Sequence, residues 1–214
     1  MNHLYEQLTA LKLTGFRDAL KKQLAQPGTY QELGFEERLS LLTAEELTCR
    51  ENRKAERLIK HARFRLNAEL SKLDYRNNRG LDRALIRSLS QGNWLTLKQN
   101  ILLTGATGSG KTFLACALGH NACRQGYKVY YYRLKALMEQ CYQGHADGRY
   151  SKLLTRLNNS DLLLLDDWGL EPLSSEQRSD LLEIVDLMYQ RGSIIVVSQL
   201  PVENWYKMIG DSTH

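Results

Sequence analysis

Proline is scarce in this 214-residue chain: there are three, and only Pro27 falls within the first 90 positions. That opening stretch also lacks any alternation of apolar and polar residues, so nothing in it reads as sheet. Leu4, Leu8 and Leu11, then Phe16, Leu20 and Leu24, recur at helical spacing, and the first part of the chain is expected to be all-helical. The four cysteines, Cys49, Cys116, Cys123 and Cys141, form no C-x-x-C pair. That spacing argues against a zinc site or a disulfide framework and leaves them as small buried hydrophobes. No apolar run approaches the ~20 residues that cross a bilayer, and Met1–Glu6 has neither the basic start nor the apolar stretch of a signal peptide. A cytoplasmic protein without a membrane partner is expected.

Length alone leaves one sizeable core or two small ones open. Charge is more informative: residues 1–99 hold 18 Lys and Arg against 12 Asp and Glu, whereas residues 100–214 hold 11 against 12. A basic module joined to a near-neutral enzymatic one fits this asymmetry, with a polyanion as partner of the first. A long helix is expected from Phe35 to about Leu70, with Glu36 and Glu37 at the positive end of its dipole. Arg50, Arg53, Lys54, Arg57, Lys60 and His61 make its middle basic, while Ala55, Ile59, Ala62 and Leu66 form the opposite, apolar stripe. A solvated surface helix would also carry charge, but the sustained single sign, continued by Arg76, Arg79, Arg83 and Arg87, favours nucleic acid. Nothing resembles a reader of specific bases, so contacts to the backbone of double-stranded DNA are expected. The pattern breaks at Arg76–Gly80, which suggests a helical domain over 1–78 and an enzymatic domain over 79–214.

After the break, apolar runs alternate with helical segments, with strands expected near 100–104, 127–132, 161–166 and 193–198. Such alternation predicts an α/β fold with a parallel sheet covered on both faces. Gly105-Ala106-Thr107-Gly108-Ser109-Gly110-Lys111-Thr112 fills every position of G-x-x-x-x-G-K-[ST], directly after the apolar Ile101–Leu103. A triphosphate needs several backbone N–H groups at close approach, and glycines permit that path. Lys111 can reach the β- and γ-phosphates, the Thr112 hydroxyl can ligate Mg²⁺, and the helix opening with Phe113 points its positive end at the phosphates. ATP is therefore the expected ligand. Leu162–Leu165 then ends in Asp166-Asp167, a buried strand carrying two acids to the same sheet edge. Asp166 suits Mg²⁺ and Asp167 the attacking water. Ile194–Val197 ends in Ser198-Gln199, and Gln199 is the first choice for a side chain that senses the γ-phosphate; Ser198 alternatively caps or turns.

The phosphate loop, Asp166-Asp167-Trp168-Gly169-Leu170-Glu171-Pro172-Leu173 and Ser198-Gln199-Leu200-Pro201-Val202-Glu203-Asn204-Trp205 together resemble the IstB family of transposition ATPases, over nearly the whole chain. The resemblance implies an AAA+ core of the initiator and helicase-loader group, related to DnaC and DnaA. Such a protein assembles with ATP as a homo-oligomer on DNA and assists an insertion-sequence transposase. It also implies a helix near DNA between the second and third strands, making Arg133, Lys135, Lys152 and Arg156 candidate contacts. The family pattern continues past Gly210–His214 with an arginine finger, a fifth strand and a helical lid. Without them the core is expected to be C-terminally truncated, with the phosphate-loop strand at a sheet edge. Hydrolysis is expected to be weak, because an arginine finger is worth roughly 10³–10⁵ in rate. A replicative helicase loader shares this core and basic arm. A small-molecule kinase would need an acceptor pocket and an arginine-rich lid that the sequence does not present.

Overall fold

The computed structural model describes residues 2–75 and 81–205. The expected break at 76–80, with Arg76 and Arg79, and the terminal Gly210–His214 lie outside the described residues. The chain divides into two compact units, Met1–Glu56 and Arg57 onward. This division precedes the compositional break because Ala62, Ala68, Leu70 and Leu73 belong to the apolar core of the second unit.

Helices α1 (Asn2–Ala10), α2 (Thr14–Ala25), α3 (Pro27–Tyr30) and the first part of α4 (Phe35–Ala62) make up the first unit. Pro27 opens α3, where its missing N–H costs no helical hydrogen bond. The buried carboxylate of Glu46 accepts from the Phe16 N–H at 3.0 Å and from Arg50 Nε at 2.7 Å. Acidic residues in the first turn of α4 and Lys60 and His61 in its last complement the helix dipole. The helix stops at Ala62 and does not run to Leu70: Arg63 adopts a left-handed conformation with φ 56°. Leu66 therefore leaves the expected apolar stripe and is exposed. Past the turn, Phe64 meets His120 with ring centroids 4.4 Å apart. A Cβ on Gly119 would lie 2.5 Å from Phe64 Cε1, so that ring needs glycine beneath it.

In the second unit, α5 (Arg83–Ser90), capped by the Asp82 side chain on the Ala84 N–H, and α6 (Asn93–Thr96) precede the sheet. There follow β1 (Ile101–Thr104), α7 (Lys111–Arg124), β2 (Val129–Arg133), α8 (Leu134–Asp147), α9 (Tyr150–Asn158), β3 (Leu162–Trp168), α10 (Ser175–Met188) and β4 (Ser193–Ser198). All pairings are parallel, in the order β1-β4-β3-β2, with Leu164 opposite both Tyr131 and Ile195. Leu162 and Leu164 pack with α7 residues such as Ala115 and Leu118, while Leu163 and Leu165 pack with Leu137, Leu157 and Ile184 of α8, α9 and α10. Burial on both faces is why β3 and β4 are unbroken aliphatic runs. Among the described residues β1 lies at the edge of the sheet, and Leu102 is 49% exposed. Cys116, Cys123 and Cys141 are buried and Cys49 is half-buried; desolvation pushes the Cys123 and Cys141 thiols up to about 12. Among the described residues no helix is long and apolar enough to cross a membrane.

Candidate nucleotide site

The phosphate loop leaves β1 at Thr104 and enters α7 at Lys111. Gly108 (φ 78°) and Gly110 (φ 92°) take left-handed conformations that a side chain would oppose. Lys111 Nζ folds back onto the loop, donating to the Gly105 and Ala106 carbonyls at 2.7 Å each and to Ser109 Oγ at 3.3 Å. A cavity of about 550 Å³ opens beside this loop, lined by Gly105, Ala106, Ser109, Gly110, Lys111 and Phe113 together with Leu73, Leu81 and Leu103. Leu73 and Leu81 were not singled out in sequence; two isolated leucines flanking a polar break give no signal of their own.

Asp166 comes to the loop from the C-terminal part of β3. Its carboxylate accepts from Thr112 Oγ1 at 3.0 and 3.2 Å, from the Tyr131 hydroxyl at 2.7 Å and from the Asp167 N–H at 2.8 Å. Asp166 is 1% exposed, and these donors offset the cost of burying its charge. Burial pushes the Tyr131 phenol up, and the hydrogen bond to Asp166 adds to the effect, so Tyr131 stays a donor. Thr112 and Asp166 present hydroxyl and carboxylate oxygens side by side, the hard donors that Mg²⁺ takes alongside phosphate oxygens and water.

A β-bulge between Leu165 and Trp168 breaks the register with β4, and Asp167 adopts φ 59° there. Its Oδ2 accepts from Arg133 Nε at 2.6 Å, and Arg65 Nη1 lies 3.7 Å away. Gln199 Oε1, just beyond β4, accepts from Thr107 Oγ1 at 2.7 Å, so the end of β4 touches the phosphate loop. Ser198 turns the chain: it donates to the Trp168 carbonyl at 2.9 Å and accepts from the Leu200 N–H at 3.0 Å.

The basic candidates separate by surroundings. Arg53, Lys54, Arg57 and Lys60 are exposed on α4, whereas Arg50 is held by Glu46. Arg133, Lys152 and Arg156 line one cleft of about 960 Å³, but Lys135 pairs with Glu171 at 3.0 Å. Arg156 Nη2 donates to the Tyr132 hydroxyl at 2.6 Å and to Gln140 Oε1 at 2.9 Å. Sequence reasoning missed Tyr131 and Arg65 and did not see Arg133 as the partner of Asp167.

A family model described as IstB-like ATP binding protein matches residues 6–214. A protein of insertion sequence IS1162 from Pseudomonas fluorescens, named for ATP binding, is 46% identical over 200 residues, 93% of this chain and 86% of its own length. The protein y4pL of Sinorhizobium fredii, also named for an insertion sequence and ATP binding, is 42% identical over 209 residues, covering 98% and 85%. Among solved structures, a DnaC helicase loader superimposes with a TM-score of 0.58 at 27% identity, over 67% of this chain and 88% of that one. AMPPCP-bound DnaA from Aquifex aeolicus gives a TM-score of 0.60 at 22% identity, over 67% and 45%, a likeness of fold. The parallel sheet and its helices are an AAA+ phosphate-loop core.

Proposed function

The chain belongs to the family of IstB-like ATP binding proteins, and we propose that it is an ATPase that assembles on double-stranded DNA and assists an insertion-sequence transposase. The observation that carries the ATPase reading is the Thr112 hydroxyl 3.0 Å from the Asp166 carboxylate. Two segments far apart in sequence meet where a nucleotide-bound Mg²⁺ would need both. ATP lies with its phosphates against the loop N–H groups of Gly105–Thr112, while Lys111 exchanges the loop carbonyls for phosphate oxygens. Its base enters the cavity beside Phe113, Leu73 and Leu81. Thr112 and Asp166 would hold Mg²⁺, which would supply positive charge to the phosphates. Once free of its guanidinium partners, Asp167 takes a proton from the water that adds to the γ-phosphorus, and the bond to the ADP oxygen breaks. Gln199, bonded to Thr107 in the loop, reports the γ-phosphate to the end of β4.

The DNA part of the proposal is supported by the exposed cations Arg53, Lys54, Arg57 and Lys60 on α4. The transposase as partner is supported by relatives named for insertion sequences, at 46% and 42% identity. A helicase loader is the second reading, favoured by the likeness to DnaC at 27%. Electron microscopy with duplex DNA, with and without a non-hydrolysable ATP analogue, should reveal nucleotide-dependent oligomers on DNA; DNA left bare in both samples would refute the assembly. Replacing Arg53, Lys54 and Arg57 by glutamine should weaken binding to unrelated duplexes alike. The slope of log K against log salt should fall by about 0.9 for each phosphate that is no longer neutralised. An unchanged slope makes this face of α4 a solvated surface. Recovery of the replicative helicase and no transposase in a pull-down would favour the loader.

A further inference from the structure

Gln199 is exposed, yet the chain on either side of it is fixed. Before it, Ser198 is 1% exposed and lies opposite Trp168 beyond the bulge of β3, where its Oγ donates to the Trp168 carbonyl at 2.9 Å. After it, both polar backbone groups of Leu200 are taken up by side chains. The Leu200 N–H donates to Ser198 Oγ at 3.0 Å, and the Leu200 carbonyl accepts from Trp205 Nε1 at 3.1 Å. Pro201 follows and disfavours helical backbone at Leu200. One turn of 3₁₀ helix, Val202–Asn204, then brings the Trp205 indole back onto the chain.

Trp205 is itself anchored on β3. Its ring lies 5.2 Å from that of Trp168, which is 7% exposed in the core shared with α8, α9 and α10. The Leu200 side chain covers Gly169, where an added Cβ would approach Leu200 Cδ1 to 3.1 Å. Asp167 and Gln199 each adjoin this clasp: Trp168 follows Asp167, Ser198 and Leu200 flank Gln199, and the Trp205 indole bridges the two segments. A long polar side chain on an exposed turn is free to sample several directions. With both backbone groups of the next residue held, Gln199 is directed at the phosphate loop, where its Oε1 accepts from Thr107 Oγ1 at 2.7 Å.

We propose that Trp205 is a positioning residue for ATP hydrolysis: by holding the Leu200 carbonyl against Trp168, it presents Gln199 to the γ-phosphate at a fixed separation from Asp167. The proposal rests on the reading of Gln199 as the side chain that meets the γ-phosphate. Trp205 does not line the nucleotide cavity, so its indole acts on the rate and not on the binding of ATP.

The test is single-turnover hydrolysis by the full chain in excess over labelled ATP, which resolves weak activity and yields the rate constant and the affinity separately. Trp205→Phe and Ser198→Ala are each made in the wild type and in Gln199→Ala. Trp205→Phe keeps a ring against Trp168 but has no N–H. Its rate constant should fall about 10-fold with affinity for ATP unchanged, short of the roughly 10²-fold that a 1 Å misplacement costs, because Ser198 still holds the Leu200 N–H. In Gln199→Ala the same substitution should change nothing further. A Trp205→Phe rate equal to wild type overturns the proposal, as does an equal loss in both backgrounds, which would make the indole a general support of the fold. Should Trp205→Phe lose its fold by circular dichroism, Ser198→Ala, which frees the other side of Leu200, decides. A loss of rate seen only where Gln199 is present supports the clasp, and a wild-type rate or an equal loss in both backgrounds overturns it. Gln199→Ala alone separates the two readings. If it hydrolyses at the wild-type rate, the role of Gln199 is wrong and the inference falls with it; if it is slow while Trp205→Phe keeps the wild-type rate, only the positioning is wrong.

Discussion

Removing a single oxygen tests how Asp166 is held. In Tyr131→Phe the ring keeps its volume in a site 9% exposed, so no cavity opens and the change is confined to the bond from the hydroxyl to Asp166 Oδ2 at 2.7 Å. Asp166 keeps Thr112 and the Asp167 N–H but loses the shortest of its donors. A hydrogen bond to a buried charged group is worth about 1.5–3 kcal/mol, which predicts a destabilisation of about 2 kcal/mol. At ~2–4 °C per kcal/mol for a chain of this size, Tm should fall by ~4–8 °C. The measurement is urea unfolding followed by tryptophan fluorescence. Trp94, Trp168 and Trp205 all lie in the second unit, so the signal follows the unit that contains the bond. Alkaline pH gives an independent check. The folded phenol is raised above its unfolded value of about 10, so its contribution is complete below pH ~10 and is lost as pH rises beyond it. The wild type should therefore lose stability above pH ~10 more steeply than Tyr131→Phe. A loss under ~0.5 kcal/mol, or alkaline arms of equal slope, would refute the claim that this hydroxyl stabilises the Asp166 carboxylate.

Lys111→Ala should weaken ATP binding at least ~100-fold, read by titration with a fluorescent ATP analogue, while the circular dichroism of the helices is retained; unchanged affinity would sink the phosphate-loop assignment. His120 is buried against Phe64 and its pKa is lowered, first by desolvation, so the folded chain holds it neutral. Its contribution is present above the unfolded value near 6.5 and is lost as pH falls below it. His120→Phe should flatten the decline in Tm below pH ~6.5, and a decline identical to wild type would show that another group sets it.

The parts of this fold that were legible in sequence are those with one dominant cause. Leu162–Leu165 and Ile194–Val197 could be read as strands because both faces are buried and every position must be apolar. The phosphate loop could be read because its backbone path restricts residue type. Tyr131 was not legible, because Tyr130-Tyr131-Tyr132 serves equally well as ordinary strand filling. Only the register, with Tyr131 opposite Leu164 and Arg133 opposite Asp166, sets the phenol within reach of an acid two positions further along the neighbouring strand. The end of α4 was hidden for a different reason. Helices commonly stop at glycine or asparagine in the left-handed region, and here Arg63 takes that conformation, so no stop signal is written.

Charge was the least legible property, because a sequence counts cations but does not show which are already neutralised. Of the nine Arg and Lys side chains read as DNA contacts, Arg50 is paired with Glu46, Arg133 with Asp167 and Lys135 with Glu171. Arg156 is also held, but by the neutral Tyr132 and Gln140, so its positive charge is not cancelled. Arg50, Arg133 and Lys135 would have to exchange a carboxylate for a phosphate, releasing fewer counterions than a free cation does. The salt dependence of DNA binding should therefore come mainly from Arg53, Lys54, Arg57, Lys60, Lys152 and Arg156. Loss of Arg133 should register far more in the rate of hydrolysis than in affinity. A residue whose substitution changes kcat while leaving the salt slope nearly intact is serving the acid it holds, and that separation is measurable on one set of protein samples.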